Sequence, residues 1–306
     1  RVGKNELDGL FQEIDATMEL AVEAHLQKKE KIAEMMSGPG RPLFQIGRAA
    51  CDGRRYVELD ECTYILGLLG VNDAVKFMTG KELHEDDDAM DIALRIVAHM
   101  FLKAKKLSKK HGIKLTLEES PAESATRRLA KTDLVYFKDE ARNTVKGEED
   151  VAYYTNSVHL AAEAGVSLVE RIRKQAMFHS MIESGAITHA FVGEEQPSSA
   201  SIAKLMKEVL FQTQSAQVTV SPEFTYCNDC HHNERGLRET CTRCGSDRVV
   251  GETRVVGYFS KVENWNKSKK YGELVARHKG HYAVETVADT EDDFEDSELV
   301  TVSDTA

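Results

Sequence analysis

Apolar side chains set the first element. Leu10, Ile14, Met18, Ala21, Val22 and Leu26 recur at steps of three and four, the period of a helix with one buried stripe. The spacing predicts a helix over 10–36, stopped by Gly38-Pro39-Gly40. A second helix is predicted from Leu59. There Tyr64, Leu66, Leu68 and Leu69 form an apolar patch, and Gly67 and Gly70 permit close packing. A third is predicted over 85–110. It is entered through Glu85-Asp86-Asp87-Asp88 and left through lysines, as the helix dipole favours.

The period then changes. Ile113-Lys-Leu-Thr-Leu117 alternates like a strand, and Ser120-Pro-Ala-Glu-Ser124 turns into a helix carrying Arg127, Arg128 and Leu129. Val166–Gln175 reads as helix. Gly185-Ala-Ile-Thr-His-Ala-Phe-Val-Gly193 reads as a short buried strand between glycines. Ser198–Phe211 reads as a helix with Ser199 or Ser201 near its cap, and Ala216–Val220 as a strand. Strands alternating with helices predict an α/β fold, sheet or barrel.

Composition narrows the class. Of 306 residues, 41% are hydrophobic and 30% charged, enough for a sizeable core. No apolar run is long enough to span a membrane, so no membrane partner is expected. The polar opening Arg1-Val-Gly-Lys-Asn5 is unlike a secretory leader. It lacks an initiator Met, so a processed chain or part of a longer one is expected. The net charge of −11 disfavours a phosphate-backbone binder, so no nucleic-acid partner is expected. Nine acids and no Lys or Arg fall from Glu285 onward, which predicts a disordered acidic tail over 285–306.

Four of the six cysteines form two pairs, Cys227-Asn-Asp-Cys230 and Cys241-Thr-Arg-Cys244, ten residues apart. Two such knuckles gather four thiolates around one zinc. Four thiolates leave no open coordination position, so the expected role is a structural clamp, with His231 and His232 on the surface. A redox role for one pair is the alternative. The unbridged usage, with Cys51 and Cys62 in ordinary sequence, predicts a reducing compartment, hence a cytoplasmic location.

Thirteen residues past Cys244 lies Gly257, within Arg254-Val-Val-Gly-Tyr-Phe259. Taken alone, that segment is a strand broken by a bend or bulge at glycine. With Trp265-Asn-Lys267, Glu273-Leu274 and Arg277 behind it and a four-cysteine site before it, the segment resembles the glycyl-radical loop of anaerobic (class III) ribonucleoside-triphosphate reductases. Other segments share the likeness: Tyr56-Val57, Gly67-Leu-Leu-Gly-Val-Asn72, Thr79-Gly-Lys-Glu-Leu83, Pro121-Ala-Glu123, Tyr154-Thr-Asn-Ser157, Gly185-Ala-Ile-Thr-His189 and Ser221-Pro-Glu-Phe-Thr225. It runs from about residue 40 to 284.

The resemblance implies the C-terminal half of a ten-stranded α/β barrel of the glycyl-radical-enzyme type over 1–216, a zinc ribbon over 217–252 and a radical loop region over 253–284. It implies an oxygen-sensitive reductase that converts ribonucleoside triphosphates to deoxyribonucleoside triphosphates for DNA synthesis. Gly257 would carry a radical made by an S-adenosylmethionine/iron–sulfur activase and would oxidise a cysteine to a thiyl. Glycine suits this, because a Cβ would crowd the planar radical. The expected partners are the activase, the N-terminal half if the enzyme is split, a ribonucleoside-triphosphate substrate and a second copy as a homodimer. The thiyl cysteine is expected upstream of residue 1, since neither Cys51 nor Cys62 has a suitable setting. Ser120, Glu123 and Ser124, at a helix N-terminus, and Asn156 are candidate substrate contacts. A capping box from Ser120 to Glu123 is the plainer reading of the first group, and a turn that of Asn156-Ser157. His189 reads as a core histidine with satisfied bonds. Two other functions remain open: an accessory glycyl-radical subunit, or a zinc-ribbon interaction module without catalysis. The resemblance implies formate or a thioredoxin-like dithiol as the electron donor.

Overall fold

A computed structural model describes residues 6–286. The first five residues and most of the expected acidic tail lie outside the described residues. Among the described residues no helix is long and apolar enough to cross a membrane.

Helix α1, Leu7–Met36, buries Met18 and Val22 and lies along α3, Asp87–His111. Phe11 stacks on His99 at 4.2 Å, and the same imidazole bonds Asp15 at 2.8 Å. Asp86 caps α3 through the Asp88 N–H, and Gly112 ends it in the left-handed region at φ 64°.

The helix predicted from Leu59 is not formed. Thr63–Leu68 is strand β1, parallel to β2, Lys114–Glu119, with Tyr64 opposite Leu115 and Leu66 opposite Leu117. A short apolar run does not distinguish strand from helix by period alone, and pairing with β2 decides it. Leu66 and Leu68 point into the core at a two-residue step. Gly67 does allow the predicted close approach, since a Cβ there would lie 2.8 Å from the Ser120 Cβ, whereas a Cβ on Gly70 would meet only ordinary contacts from 3.7 Å. Gly70 adopts φ 72° and starts α2, Val71–Thr79. Cys62 therefore precedes a strand and is half-buried.

Helix α4, Glu123–Tyr136, follows β2, and a short α5, Lys138–Ala141, follows it. Then come α6, Leu168–Ala176; β3, Thr188–Gly193; α7, Ser199–Gln212; and β4, Val218–Pro222, parallel to β3. The cap of α7 is Ser198, whose hydroxyl oxygen accepts from the Ser201 N–H at 3.1 Å, so the predicted Ser199 and Ser201 both lie in the first turn near the cap. The chain before β3 lies beside β2 through Ser184 N–H to Leu117 O (3.0 Å) and Glu119 N–H to Gly185 O (2.9 Å). These elements make an α/β arrangement of two parallel strand pairs. No closed barrel forms among the described residues.

The C-terminal sheet is antiparallel. Its order is β6 (Asn233–Arg235), β5 (Phe224–Cys227), β7 (Val249–Arg254), β8 (Phe259–Lys261). A π-helical turn, Ser268–Glu273, runs into α8, Leu274–Arg277, and returns the chain to the core.

Candidate functional site: a glycine hairpin braced by a four-cysteine cluster

Cys227 ends β5, and Cys230, Cys241 and Cys244 lie on the two knuckles between β5 and β7. The four Sγ atoms all lie within 4.8 Å of one another, with Cys227–Cys244 and Cys230–Cys241 each at 3.6 Å. A tetrahedral zinc at about 2.3 Å from each sulfur needs S···S edges of about 3.8 Å, so the donor set fits that ion. The knuckles turn alike. The residue after each second cysteine is left-handed, His231 at φ 57° and Gly245 at φ 74°. Their N–H groups donate to Cys227 O (3.0 Å) and Cys241 O (2.9 Å). The backbone N–H of Cys230 brings the Cys227 thiol down to about 7, toward the thiolate a metal needs. His231 is exposed and bonded to the Tyr226 hydroxyl at 2.5 Å, outside the sulfur cluster.

Strand β7 leaves this cluster and ends at Arg254, and β8 resumes at Phe259. The four residues between form a hairpin loop closed by Val255 N–H to Tyr258 O at 3.1 Å. Gly257 is exposed at its tip. The predicted bend is there, but it does not require glycine: Gly257 is not among the residues with positive φ, and an added Cβ would meet nothing within 4 Å. Gly70 and Gly245, by contrast, are held by their φ angles.

Guanidinium groups fasten the loop. Arg254 Nη1 donates to Gly257 O at 2.6 Å, and its guanidinium lies 4.8 Å from the Phe259 ring centre. Arg277 donates to Arg254 O (2.7 Å) and Val255 O (2.5 Å). It is 3% exposed, sits 3.9 Å over the Phe191 ring and pairs with Glu273, which also takes Lys269. Burial alone would raise the Glu273 pKa, but these two cations hold the carboxylate at about 2.

Val256, the residue before the glycine, is buried and lines a narrow cavity with Asn156, His159, His189, Arg171 and Arg277. The Asn156 Oδ1 and both His189 ring nitrogens have no hydrogen-bond partner among the described residues. His189 is thus a buried histidine without satisfied bonds, contrary to expectation. Burial, with His159 and Arg277 nearby, pushes its pKa down to about 3, so the ring is neutral at pH 7. His159 bonds Glu119 at 3.2 Å. Burial would raise the Glu119 pKa, but His159 and the Ile187 N–H keep it lowered.

The predicted contacts divide. Asn156 reaches the cavity, and a turn also follows it, with His159 N–H to Asn156 O at 2.9 Å. Glu123 comes beside the loop. Its carboxylate bonds the Tyr258 hydroxyl and raises that group's pKa, and its carbonyl accepts from Asn266 at 2.9 Å. Ser120 packs against Gly67, and Ser124 is exposed on the first turn of α4. No capping box forms: the N-cap of α4 is Ala122, without a side-chain cap bond, because the helix starts two residues too late for Ser120 to serve. No motif marked Arg254 and Arg277 as loop fasteners, or Glu119 and His159 as a buried pair. Their signal was a charged or imidazole side chain inside or beside an apolar segment.

A larger cavity, about 760 Å³, lies elsewhere, between α1, α2 and α4–α5, and shares no lining residue with the one under the loop. It is mostly apolar, so size does not mark the chemistry here.

A family profile described as anaerobic ribonucleoside-triphosphate reductase matches residues 2–279. A protein of that description from Haemophilus influenzae is 22% identical over 258 residues, 80% of this chain and 32% of its own length. Among solved structures, one titled anaerobic ribonucleotide reductase superposes with a TM-score of 0.71 at 20% identity, over 89% of this chain and 41% of its own. The Thermotoga maritima anaerobic ribonucleotide reductase with glycerol in the active site gives 0.66 at 19%, over 87% and 40%. These structural likenesses establish the fold. The chain spans about a third of the length of the curated relative.

Proposed function

The chain belongs to the anaerobic ribonucleoside-triphosphate reductase family, and from that premise we propose that it is the radical-bearing C-terminal portion of such a reductase, with Gly257 as the radical site. One observation carries this reading: Gly257 stands at an exposed hairpin tip where neither φ nor space calls for glycine. The absence of a side chain is then a chemical requirement. A Cα radical is delocalised over both flanking amides only when planar, and a Cβ opposes that planarity.

In this reading a hydrogen atom leaves the Gly257 Cα to a carbon radical supplied by an S-adenosylmethionine/iron–sulfur activase. The glycyl radical takes a hydrogen atom from an upstream cysteine and leaves a thiyl. The thiyl removes the ribose 3′-hydrogen, the 2′-hydroxyl takes up a proton and departs as water, formate or a dithiol supplies two electrons and a proton to the sugar, and the cysteine returns its hydrogen atom to C3′, which restores the thiyl. The four cysteines hold a structural zinc. Glu123 and Ser124 on the first turn of α4, Ser120 just before it, and Asn156 in the cavity are the proposed contacts for the triphosphate substrate. A barrel half over 1–216, a ribbon over 217–252 and a radical region over 253–284 divide the chain. The upstream half, the activase and a second copy are its partners, in the cytoplasm.

Anaerobic incubation with a competent activase, followed by electron paramagnetic resonance, tests this. A glycyl doublet that is absent in Gly257→Ala supports it; no doublet in the native chain overturns it. Deoxynucleotide formation on adding the upstream portion separates a reductase part from an accessory radical subunit.

A further inference from the structure

Three backbone carbonyls of the hairpin are held by guanidinium groups, and they are not equivalent. Arg277 takes Arg254 O and Val255 O, at the base of the loop. Arg254 takes Gly257 O, the carbonyl bonded directly to the glycine Cα, at 2.6 Å. The geometry is local and repeatable. Arg254 and Phe259 face each other across the last pair of the β7–β8 ladder. The Phe259 ring, 4.8 Å away, gives the guanidinium a shelf, and the side chain then reaches the carbonyl three residues on. Charge-assisted bonds of this length are the strong class.

We infer that Arg254 is the positioning residue that orients and polarises the Gly257 peptide for one-electron chemistry. The inference rests on the reading of Gly257 as the radical site. Two effects follow from the bond. First, holding the oxygen fixes rotation about the Gly257 Cα–C bond, which must become coplanar with the neighbouring amide when the hydrogen atom is lost. Secondly, an α-carbon radical between an amide nitrogen and a carbonyl is stabilised by donation from the first and withdrawal by the second. A cation on the oxygen strengthens the withdrawing partner and draws spin off the Cα. Val256, anchored in the cavity on the other side, keeps the preceding amide from following the rotation.

The bond can be seen before any radical is made. The dipeptide Gly257-Tyr258 is the only Gly-Tyr in the chain, so carbonyl-¹³C glycine with ¹⁵N tyrosine gives a single correlated resonance. In the native full-length chain that carbonyl is expected downfield, moving upfield in Arg254→Met and recovering in part in Arg254→Lys, which restores a cationic donor. Zinc content and melting temperature report whether each variant keeps its fold, and Phe259→Leu, which removes the shelf together with its ring contact to Phe224 but leaves the guanidinium, gives a milder second perturbation. After anaerobic activation the α-proton doublet is expected to be wider in Arg254→Met, because more spin stays on the Cα, and the radical to decay several-fold faster. An identical ¹³C shift in native and Arg254→Met chains overturns the inference, as does an unchanged doublet and lifetime where the native chain carries a radical. No doublet in the native chain sinks the radical-site reading, and this inference with it.

Discussion

Cys227 lies opposite Val249 in the register between β5 and β7. Val249 starts the strand whose other end, Arg254, opens the glycine hairpin. At about 3.4 Å per residue, six residues separate the sulfur cluster from the loop base by roughly 20 Å of a single paired strand. The cluster therefore sets the register of β7, and β7 aims the loop. A metal held by the four sulfurs would act at the glycine through this strand.

The first prediction concerns that lever. Cys241 is buried in the cluster. Cys241→Ser, or stripping with a chelator, is expected to remove bound zinc and to raise amide exchange along 224–227 and 249–254 by at least about tenfold. Structural zinc sites contribute on the order of 10 kcal/mol. Hydrogen-exchange mass spectrometry checks it. Unchanged protection of β7 in zinc-free protein would show that the ribbon holds its register without metal.

A second follows from the empty space around Gly257. Gly257→Ala is expected to leave stability within about 1 kcal/mol of the native chain, since Ala meets no clash and no forbidden φ. The same change should abolish the glycyl doublet and oxygen-dependent cleavage at this position. Thermal melting and mass spectrometry of air-exposed protein read the two sides separately. A large loss of stability would return the glycine to a structural role.

Much of this was legible in the sequence, and the exceptions have physical causes. The two cysteine knuckles are local, four donors at fixed spacing, and they bring the four sulfurs together as expected. The long helices declare themselves by period. β1 did not, because Thr63–Leu68 is an apolar run whose identity is fixed by β2, some fifty residues away in sequence. The same non-locality hid the site. Arg277 reaches the loop from a different element, and the His189 ring reaches the cavity from β3; neither pairing has a sequence signature. The cap on α4 was misplaced because Pro121 and Ala122 delay the helix past Ser120.

The two knuckles allow a paired test of backbone strain. Gly245 and His231 occupy the same left-handed position, but only one is glycine. Gly245→Ala is expected to destabilise the zinc-bound ribbon by about 1 kcal/mol, the cost of a Cβ in that conformation. His231→Gly should relieve a similar strain, less the value of its bond to Tyr226. Zinc dissociation rates for the two variants should shift in opposite directions.

The buried Glu273 carboxylate predicts an acid limb. Its folded pKa of about 2 lies below the ordinary value of 4.5, so its contribution is fully present above about pH 5 and is lost as pH falls from 4.5 toward 2. Glu273→Gln leaves Lys269 and Arg277 buried without their counter-charge. The expected cost near neutrality is about 3–5 kcal/mol. Denaturant titrations across pH 3–7 should show that cost shrinking as the native chain loses the same interaction in acid.

Asp73 on α2 predicts the opposite sign. Its Oδ2 accepts from the Thr155 N–H and hydroxyl, both at 2.7 Å, while Oδ1 has no hydrogen-bond partner among the described residues, and burial pushes the pKa up to about 7. The folded protein thus holds a proton that the unfolded chain releases near 3.8. Stability should fall as pH rises from about 4 to 7 and then level off, a span on the order of 3–4 kcal/mol. Asp73→Asn keeps an oxygen for Thr155 and places an uncharged NH₂ where Oδ1 stands. It is expected to remove this slope and to be the more stable chain at pH 8. Equal pH dependence in the two chains would mean that Asp73 stays ionised in the folded state.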